Sequence, residues 1–502
     1  MEIQKELKQK WYKDKYALIF IIIMLLAVAI RIYYFWITQN SPLWWDEADY
    51  MSAAKTYAGQ GFADLTGQRT PGLPLVASAF FASGIQNEAF IKFFICFIPS
   101  IIMLWALYLL VCKMYADKRI ALISTAIMAV LWESLFYSNR FQTENFGLIF
   151  EFISLMCMYN FLNKDNTQKN YFWLGCVAAF AMLSIFFRPG QMLFIPAVVL
   201  FLLITQWKEH KIVVISSVIA MVIAFAGIML FIPSINYIIM SNFNTNNLGP
   251  AWNSLEVFTG LFHPYLDILF YIGFVVCFAN LFKKNNNKSD LFNLLLILAV
   301  MFAFIFVIRA PAFEYRWFFP LIIGALVFIA RGITDIADLV GTTLKSKTFS
   351  AVCIIVIILL GVAGQVGHAD SIIKNKIGTY ADVKSASLWM KENSAPQDIL
   401  SSISYTQTAY YSERKVMSYA ELNNGNQFDE FLIKNKIRWF TISLYEPHPN
   451  WIYDWLNDNQ QETYMAAAWF LDKEQTKPSL IIYGLLKDVQ QPEETCSEDD
   501  VR

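Results

Sequence analysis

Residues 17–37 read ALIFIIIMLLAVAIRIYYFWI, an apolar run behind a lysine-rich start of Lys5, Lys8, Lys10, Lys13 and Lys15. At about 1.5 Å per helical residue, such a run is long enough to cross a hydrocarbon layer roughly 30 Å thick. A basic start before an apolar run also describes a secretory signal, but the length and the lack of a small-residue cleavage site predict an uncleaved first span. Further apolar runs at 89–112, 119–137, 146–162, 171–187, 190–206, 212–232, 265–282, 291–308, 317–331 and 348–367 extend the pattern to about eleven transmembrane helices. The expected fold is therefore a polytopic α-helical membrane protein.

Composition agrees. The chain has 502 residues, 57% hydrophobic and 16% charged, whereas water-soluble domains carry about a quarter charged residues. With 39 Lys+Arg against 40 Asp+Glu there is no basic stripe to neutralise a phosphate backbone, which excludes nucleic acid as a partner. Six of the seven cysteines lie in apolar runs and Cys496 sits alone in the tail, so neither a disulfide framework nor a cysteine metal site is implied. No internal repeat of the kind found in many secondary transporters is visible.

Lysine and arginine resist translocation, so their distribution over alternate loops sets orientation. One set of loops carries eighteen, the N-terminal lysines among them. The opposite set, before the last span, carries Lys55, Arg69, Arg140, Arg188, Arg309 and Arg316. The N-terminus is expected in the cytoplasm and the C-terminus outside, as in a multi-pass plasma-membrane protein. The first outer loop is 38–88, within a transmembrane domain 1–370. After residue 370 the pattern changes to short strand-like runs, Ile399–Ile403, Arg438–Leu444, Thr463–Phe470 and Leu480–Leu486, alternating with helical stretches. That predicts a small extracytoplasmic α/β domain, 371–490, and then an acidic disordered tail, 491–502.

The ionisable residues at the outer face carry the functional reading. Trp44-Trp45-Asp46-Glu47-Ala48-Asp49-Tyr50 puts three acids beside two tryptophans at headgroup level. An interfacial anchor explains the tryptophans; a carboxylate near the apolar boundary also suits a general base. Arg69 precedes Thr70-Pro71-Gly72-Leu73-Pro74 and a short apolar stretch, and a cation at that depth wants protein, water or an anion. Arg140 and Glu144 share one short turn, with Glu133 and Glu151 nearby in sequence; Glu144 also suits a helix-capping acid. Arg188 stands in Phe187-Arg188-Pro189-Gly190 with no acid close in sequence, and Arg309 and Glu314-Tyr315-Arg316 fill the turn before residue 317. Arginine's planar fork suits phosphate oxygens. Cations opposite carboxylates equip a site for displacement at a carbon bearing a phosphate leaving group.

These motifs, in this order, resemble the glycosyltransferase C superfamily, in particular glycosyltransferase family 39, which includes dolichyl-phosphate-mannose protein mannosyltransferases and the lipid A aminoarabinose transferase. The resemblance covers about residues 17–331. It implies inverting or lipid-linked transfer from a polyprenyl-phosphate sugar, on the outer face, to a protein, glycan or lipid acceptor, with juxtamembrane helices on that face. It makes Asp46, Glu47 and Glu144 the catalytic acids and Arg69, Arg188 and Arg140 the donor-phosphate ligands. Asp49, Tyr50, Glu314, Tyr315 and Arg316 would contact substrate. Relatives often have Lys-Pro-Pro where this chain has Arg69-Thr70-Pro71-Gly72, and their second acid is often Asp. No cofactor is required by any motif; Asp46 and Asp49 could share a divalent metal, and His263 is another conceivable ligand. Walker, dinucleotide and HExxH patterns are missing. The rival reading is a secondary transporter or lipid flippase, which would place its coupling charges near the midplane rather than at one face.

Overall fold

The computed structural model describes residues 14–61, 69–162, 167–232, 235, 249–283, 288–310, 312–472 and 474–486. Four of the five N-terminal lysines and the acidic tail lie outside them. The chain divides into two compact units: a helical unit, residues 1–40 and 66–377, and an α/β unit, residues 41–65 and 378–502.

In the helical unit, six helices among the described residues are long and apolar enough to cross a membrane, or seven if one bent pair is a single span. That pair, Asn253–Thr259 and Pro264–Asn280, is bent by 109°. The runs 190–206 and 212–232 lie on one 37-residue helix, Ile195–Phe231, preceded by a 3-10 turn, Pro189–Phe194. The run 119–137 is broken instead: Lys118–Val130 and Trp132–Tyr137 are separate helices because Leu131 adopts φ −55°, ψ 122°. The break frees carbonyls that must find donors in an apolar setting. Arg31, fully buried in the Lys15–Thr38 helix, supplies one, donating Nη1 to the Ala129 carbonyl at 2.8 Å and Nη2 to Ser134 Oγ at 3.3 Å.

Close helix packing in this unit depends on two glycines. A Cβ on Gly273 would lie 1.8 Å from the Phe328 carbonyl oxygen, and one on Gly332 would lie 2.4 Å from that of Leu269. The Pro264–Asn280 and Ile322–Thr343 helices thus meet backbone to backbone, the small-residue interface expected where no hydrophobic gradient drives helices together.

The α/β unit has a five-stranded sheet, β1 Ile399–Ser401, β2 Lys415–Met417, β3 Ile437–Ser443, β4 Thr463–Phe470 and β5 Pro478–Leu485, in the order β2-β1-β3-β5-β4. β1 runs parallel to β2 and β3, and β5 runs antiparallel to β3 and β4. Alternation along β3 feeds two cores. Phe440 and Ile442 pack with Phe428, Leu432, Ile452 and Trp455 from the Gly425–Lys434 and Trp451–Asp458 helices; Trp439 packs with Val383, Ala386 and Met390 of the Ala381–Asn393 helix. β2 and the Tyr405–Ser412 helix are elements that the sequence pattern did not reveal. Both are short, and Ser, Thr and Tyr residues in the helix hide its apolar period.

Candidate functional site

Within the helical unit, two of the arginines expected to bind phosphate lie on segments stitched together. Thr70, next to Arg69, donates its Oγ1 to the carbonyl of Phe187, next to Arg188, at 2.8 Å. Gly72 makes the approach possible, since a Cβ there would stand 2.9 Å from the Phe187 ring and 3.0 Å from its Cα. Arg69 is half-buried at the start of the turn leading into the Gly72–Ala82 helix.

Arg188 has a partner that its sequence neighbourhood does not show. It has no acid close in sequence, yet its Nη1 forms an ion pair with Glu144 Oε1, at the first position of the Glu144–Phe161 helix. Arg188 Nη2 also donates to the Arg316 carbonyl at 2.6 Å. Arg316 approaches the same Glu144 oxygen with Nη1 at 3.5 Å and gives Nη1 to Gln142 Oε1 at 2.9 Å. Its Nε pairs with Glu314, whose side chain is about half exposed at 53%. Three turns, 138–145, 188–189 and 312–316, thereby converge on one carboxylate that is 2% exposed. Gly147, one turn along from Glu144, leaves room for the Arg188 stem, because a Cβ there would meet Arg188 Cβ at 3.1 Å and the Gln191 side chain at 3.2 Å.

The other expected residues of this unit flank that cluster. Arg140 is half-buried, its guanidinium 4.5 Å from the centroid of the Phe136 ring. Tyr315 packs edge-on to Trp132, centroids 5.1 Å apart. Glu133 and Glu151 are buried, and neither Glu151 oxygen nor either polar side-chain atom of Gln191 has a hydrogen-bond partner among the described residues. Gln142, Gln191 and Arg31 were not singled out in the sequence. Only Arg31 carried a legible signal, a charge inside an apolar run.

Asp46, Glu47, Asp49 and Tyr50 belong to the α/β unit, on the helix Trp45–Tyr57. The sequence reading placed an amphipathic helix over Met51–Gly61; the helix starts earlier because Glu47, its third residue, reaches back with Oε2 to accept the Trp44 amide at 2.9 Å. That is half of a capping box. Glu47 and Tyr50 are buried, while Asp46 and Asp49 are half-buried. At the last turn Lys55 binds Glu413 at 3.0 Å. Burial alone would raise the Glu413 carboxyl, but the hydrogen bonds from Lys391 and Lys55 outweigh it and hold it below the usual carboxylate range.

Among the described residues no group of three or more His, Cys, Asp or Glu is placed to hold a metal ion. The His263 ring packs on Tyr265 and into a notch left by Gly364.

Residues 68–237 match the family profile of dolichyl-phosphate-mannose-protein mannosyltransferases. No curated protein sequence matches the chain. Among solved structures, ArnT from Cupriavidus metallidurans bound to undecaprenyl phosphate superposes with a TM-score of 0.61 at 11% identity, covering 94% of this chain and 99% of ArnT. An Archaeoglobus fulgidus oligosaccharyltransferase in complex with zinc and sulfate gives 0.55 at 14% identity, over 85% of this chain and 68% of that one. The mycobacterial arabinofuranosyltransferase AftD gives 0.50 at 11% identity, over 92% of this chain and 40% of that one. At these identities the structural likeness speaks for the fold. Together with the family match over residues 68–237, it makes the chain a multi-pass membrane protein with a glycosyltransferase C-like fold, similar to the family 39 group.

Proposed function

We propose that the chain transfers a sugar from a polyprenyl-phosphate-linked donor to a protein, glycan or lipid acceptor on the outer face of the membrane, with its N-terminus in the cytoplasm. The observation that carries this reading is the union of the Arg69 and Arg188 segments through Thr70 beside the buried Glu144 cluster. The guanidiniums of Arg69 and Arg188 offer the planar donor forks that suit phosphate oxygens. The fold neighbour ArnT is described with undecaprenyl phosphate bound, which supports the same class of donor here.

In this reading the acceptor hydroxyl attacks the anomeric carbon as the bond from that carbon to the phosphate oxygen breaks. The bonding pair leaves with the polyprenyl phosphate, whose charge is met by Arg69 and Arg188, with Arg140 contributing. Asp46 takes the hydroxyl proton. Glu144 holds Arg188 and Arg316 in place; Glu47 supports the turn that carries Asp46. Asp49, Tyr50, Glu314 and Tyr315 are assigned to sugar or acceptor contacts.

Native mass spectrometry of the purified protein tests the donor class. A co-purifying polyprenyl phosphate, or its sugar, should be present in the wild type and missing from an Arg69→Ala, Arg188→Ala double variant. Identical bulk phospholipid in both proteins would sink the phosphate assignment and favour a transporter or flippase.

A further inference from the structure

The first turn of the Trp45–Tyr57 helix is held by a residue 401 positions away, within the same unit. Glu446 lies three residues past the end of β3. Its Oε1 accepts Trp45 Nε1 at 2.7 Å and Tyr380 OH at 2.9 Å, and Ser404 Oγ stands 3.5 Å from the same oxygen. Trp45 Nε1 also lies 3.2 Å from Tyr380 OH. The Trp45 ring meets Tyr405 edge-on at 5.3 Å, and Tyr380 stands between Trp44 at 6.4 Å and Tyr445 at 5.6 Å.

The location has its own logic. Ser404 follows β1 and Glu446 follows β3, neighbouring parallel strands, and the chain leaving β1 goes to β2 on one side before returning to β3 on the other. This is the point of an open α/β sheet, beyond the carboxyl ends of its strands, where ligands usually bind. Here an indole of the chain itself is bound there, and the next residue is Asp46.

We propose that Glu446 is a positioning residue for Asp46: by fixing the Trp45 indole it sets the rotation of the helical turn that presents the Asp46 carboxylate. The inference rests on the reading of Asp46 as proton acceptor. Hydrogen bonds to a carboxylate are stronger than those between neutral groups, and two of them share one oxygen. Lys55 and Glu413 pin the other end of the same helix, but Glu446 acts on the turn that carries the acid. Displacing a reacting group by about 1 Å can cost about a hundredfold in rate.

The test uses the full-length protein in nanodiscs, with a panel of synthetic undecaprenyl-phosphate pentoses and hexoses as donors, water as the acceptor hydroxyl, and release of undecaprenyl phosphate and free sugar as the signal. Glu446→Leu should lower kcat by about a hundredfold, leaving the donor KM within about twofold. Trp45→Phe, which keeps a ring but removes the N–H donor, should show a similar loss, and the double variant should be no worse than either single one. Glu446→Gln keeps an acceptor oxygen and should recover most of the activity. Independently of substrate, hydrogen exchange of amides 48–57 should rise in Glu446→Leu, with β3 and β5 unchanged. Wild-type kcat in Glu446→Leu, multiplicative losses in the double variant, or unchanged exchange would each overturn the proposal. An active Asp46→Asn protein would overturn the underlying reading instead, in a measurement that does not involve Glu446.

Discussion

Glu144 in the helical unit is held by two guanidiniums, those of Arg188 and Arg316; Glu446 in the α/β unit is held by the neutral donors of Trp45, Tyr380 and Ser404. The difference separates two uses of a carboxylate. Taking charges out of water is costly, so a buried ion pair is weak evidence for stability, and its members depend on each other. Guanidiniums drawn together from separate turns around a buried acid suit a site that handles an anion. A carboxylate bound by neutral donors leaves no cation over, and what it supplies is a fixed geometry. The first arrangement fits handling of a phosphate; the second fits orientation of a neighbouring catalytic group.

Four further experiments would break or sharpen that contrast. The largest effect is expected at the acid that the α/β unit carries: Asp46→Asn should reduce transfer by about 10²–10⁴-fold, the usual worth of a general base, with an unchanged melting temperature. Equal losses of stability and activity would turn Asp46 into a structural residue. In the helical unit the stability effect should dominate. Arg188→Ala leaves Glu144 partly uncompensated at 2% exposure, at a cost of about 3–5 kcal/mol, and adding Glu144→Gln should restore part of the stability while transfer stays lost. Recovery of transfer in that double variant would mean that Arg188 serves only the fold.

Next in size is the backbone contact that shapes the helical unit. Gly273→Ala puts a Cβ 1.8 Å from the Phe328 carbonyl oxygen, and the forced separation should cost about 1–3 kcal/mol; thermal melts of Gly273→Ala and Gly332→Ala would measure it. Smallest is the pH response of the α/β unit through Glu413. Its carboxyl is held below its ordinary value of 4.5, so the stability it contributes is present above that value and is lost as pH falls through the lower, folded one. The residue is more than one-third exposed, which limits the gain to a few tenths of a kcal/mol. Glu413→Gln should flatten the fall in melting temperature below about pH 5 by that small amount.

The helical unit was legible in outline because a bilayer leaves a chain few options. Apolar runs must be helices that satisfy their own backbone groups, and the runs starting at 17, 89, 291 and 348 coincide with helices. The division between runs was harder to read. A polar stretch near 208 reads as a loop, but helix Ile195–Phe231 continues through it, while the apolar stretch 119–137, with no Pro or Gly, is broken at Leu131. Hydropathy reports burial rather than backbone dihedrals. In the α/β unit, β3, β4 and β5 announced themselves by alternation and aromatic residues; β2, with three residues, is too short to show a period.

Sequence alone determined that this chain lies in a membrane, that Arg69, Arg140, Arg188, Arg309 and Arg316 stand at the ends of apolar runs, and that Asp46 and Glu47 lie in the first long loop. Each of these follows from the local cost of exposing a polar group to hydrocarbon. Which cation meets which acid was decided only by the tertiary structure. Glu144 reaches Arg188 from another helix, and Glu446 reaches Trp45 across 401 residues. An ion pair or hydrogen bond at about 3 Å depends on distances that packing creates, and no periodicity in the chain encodes them.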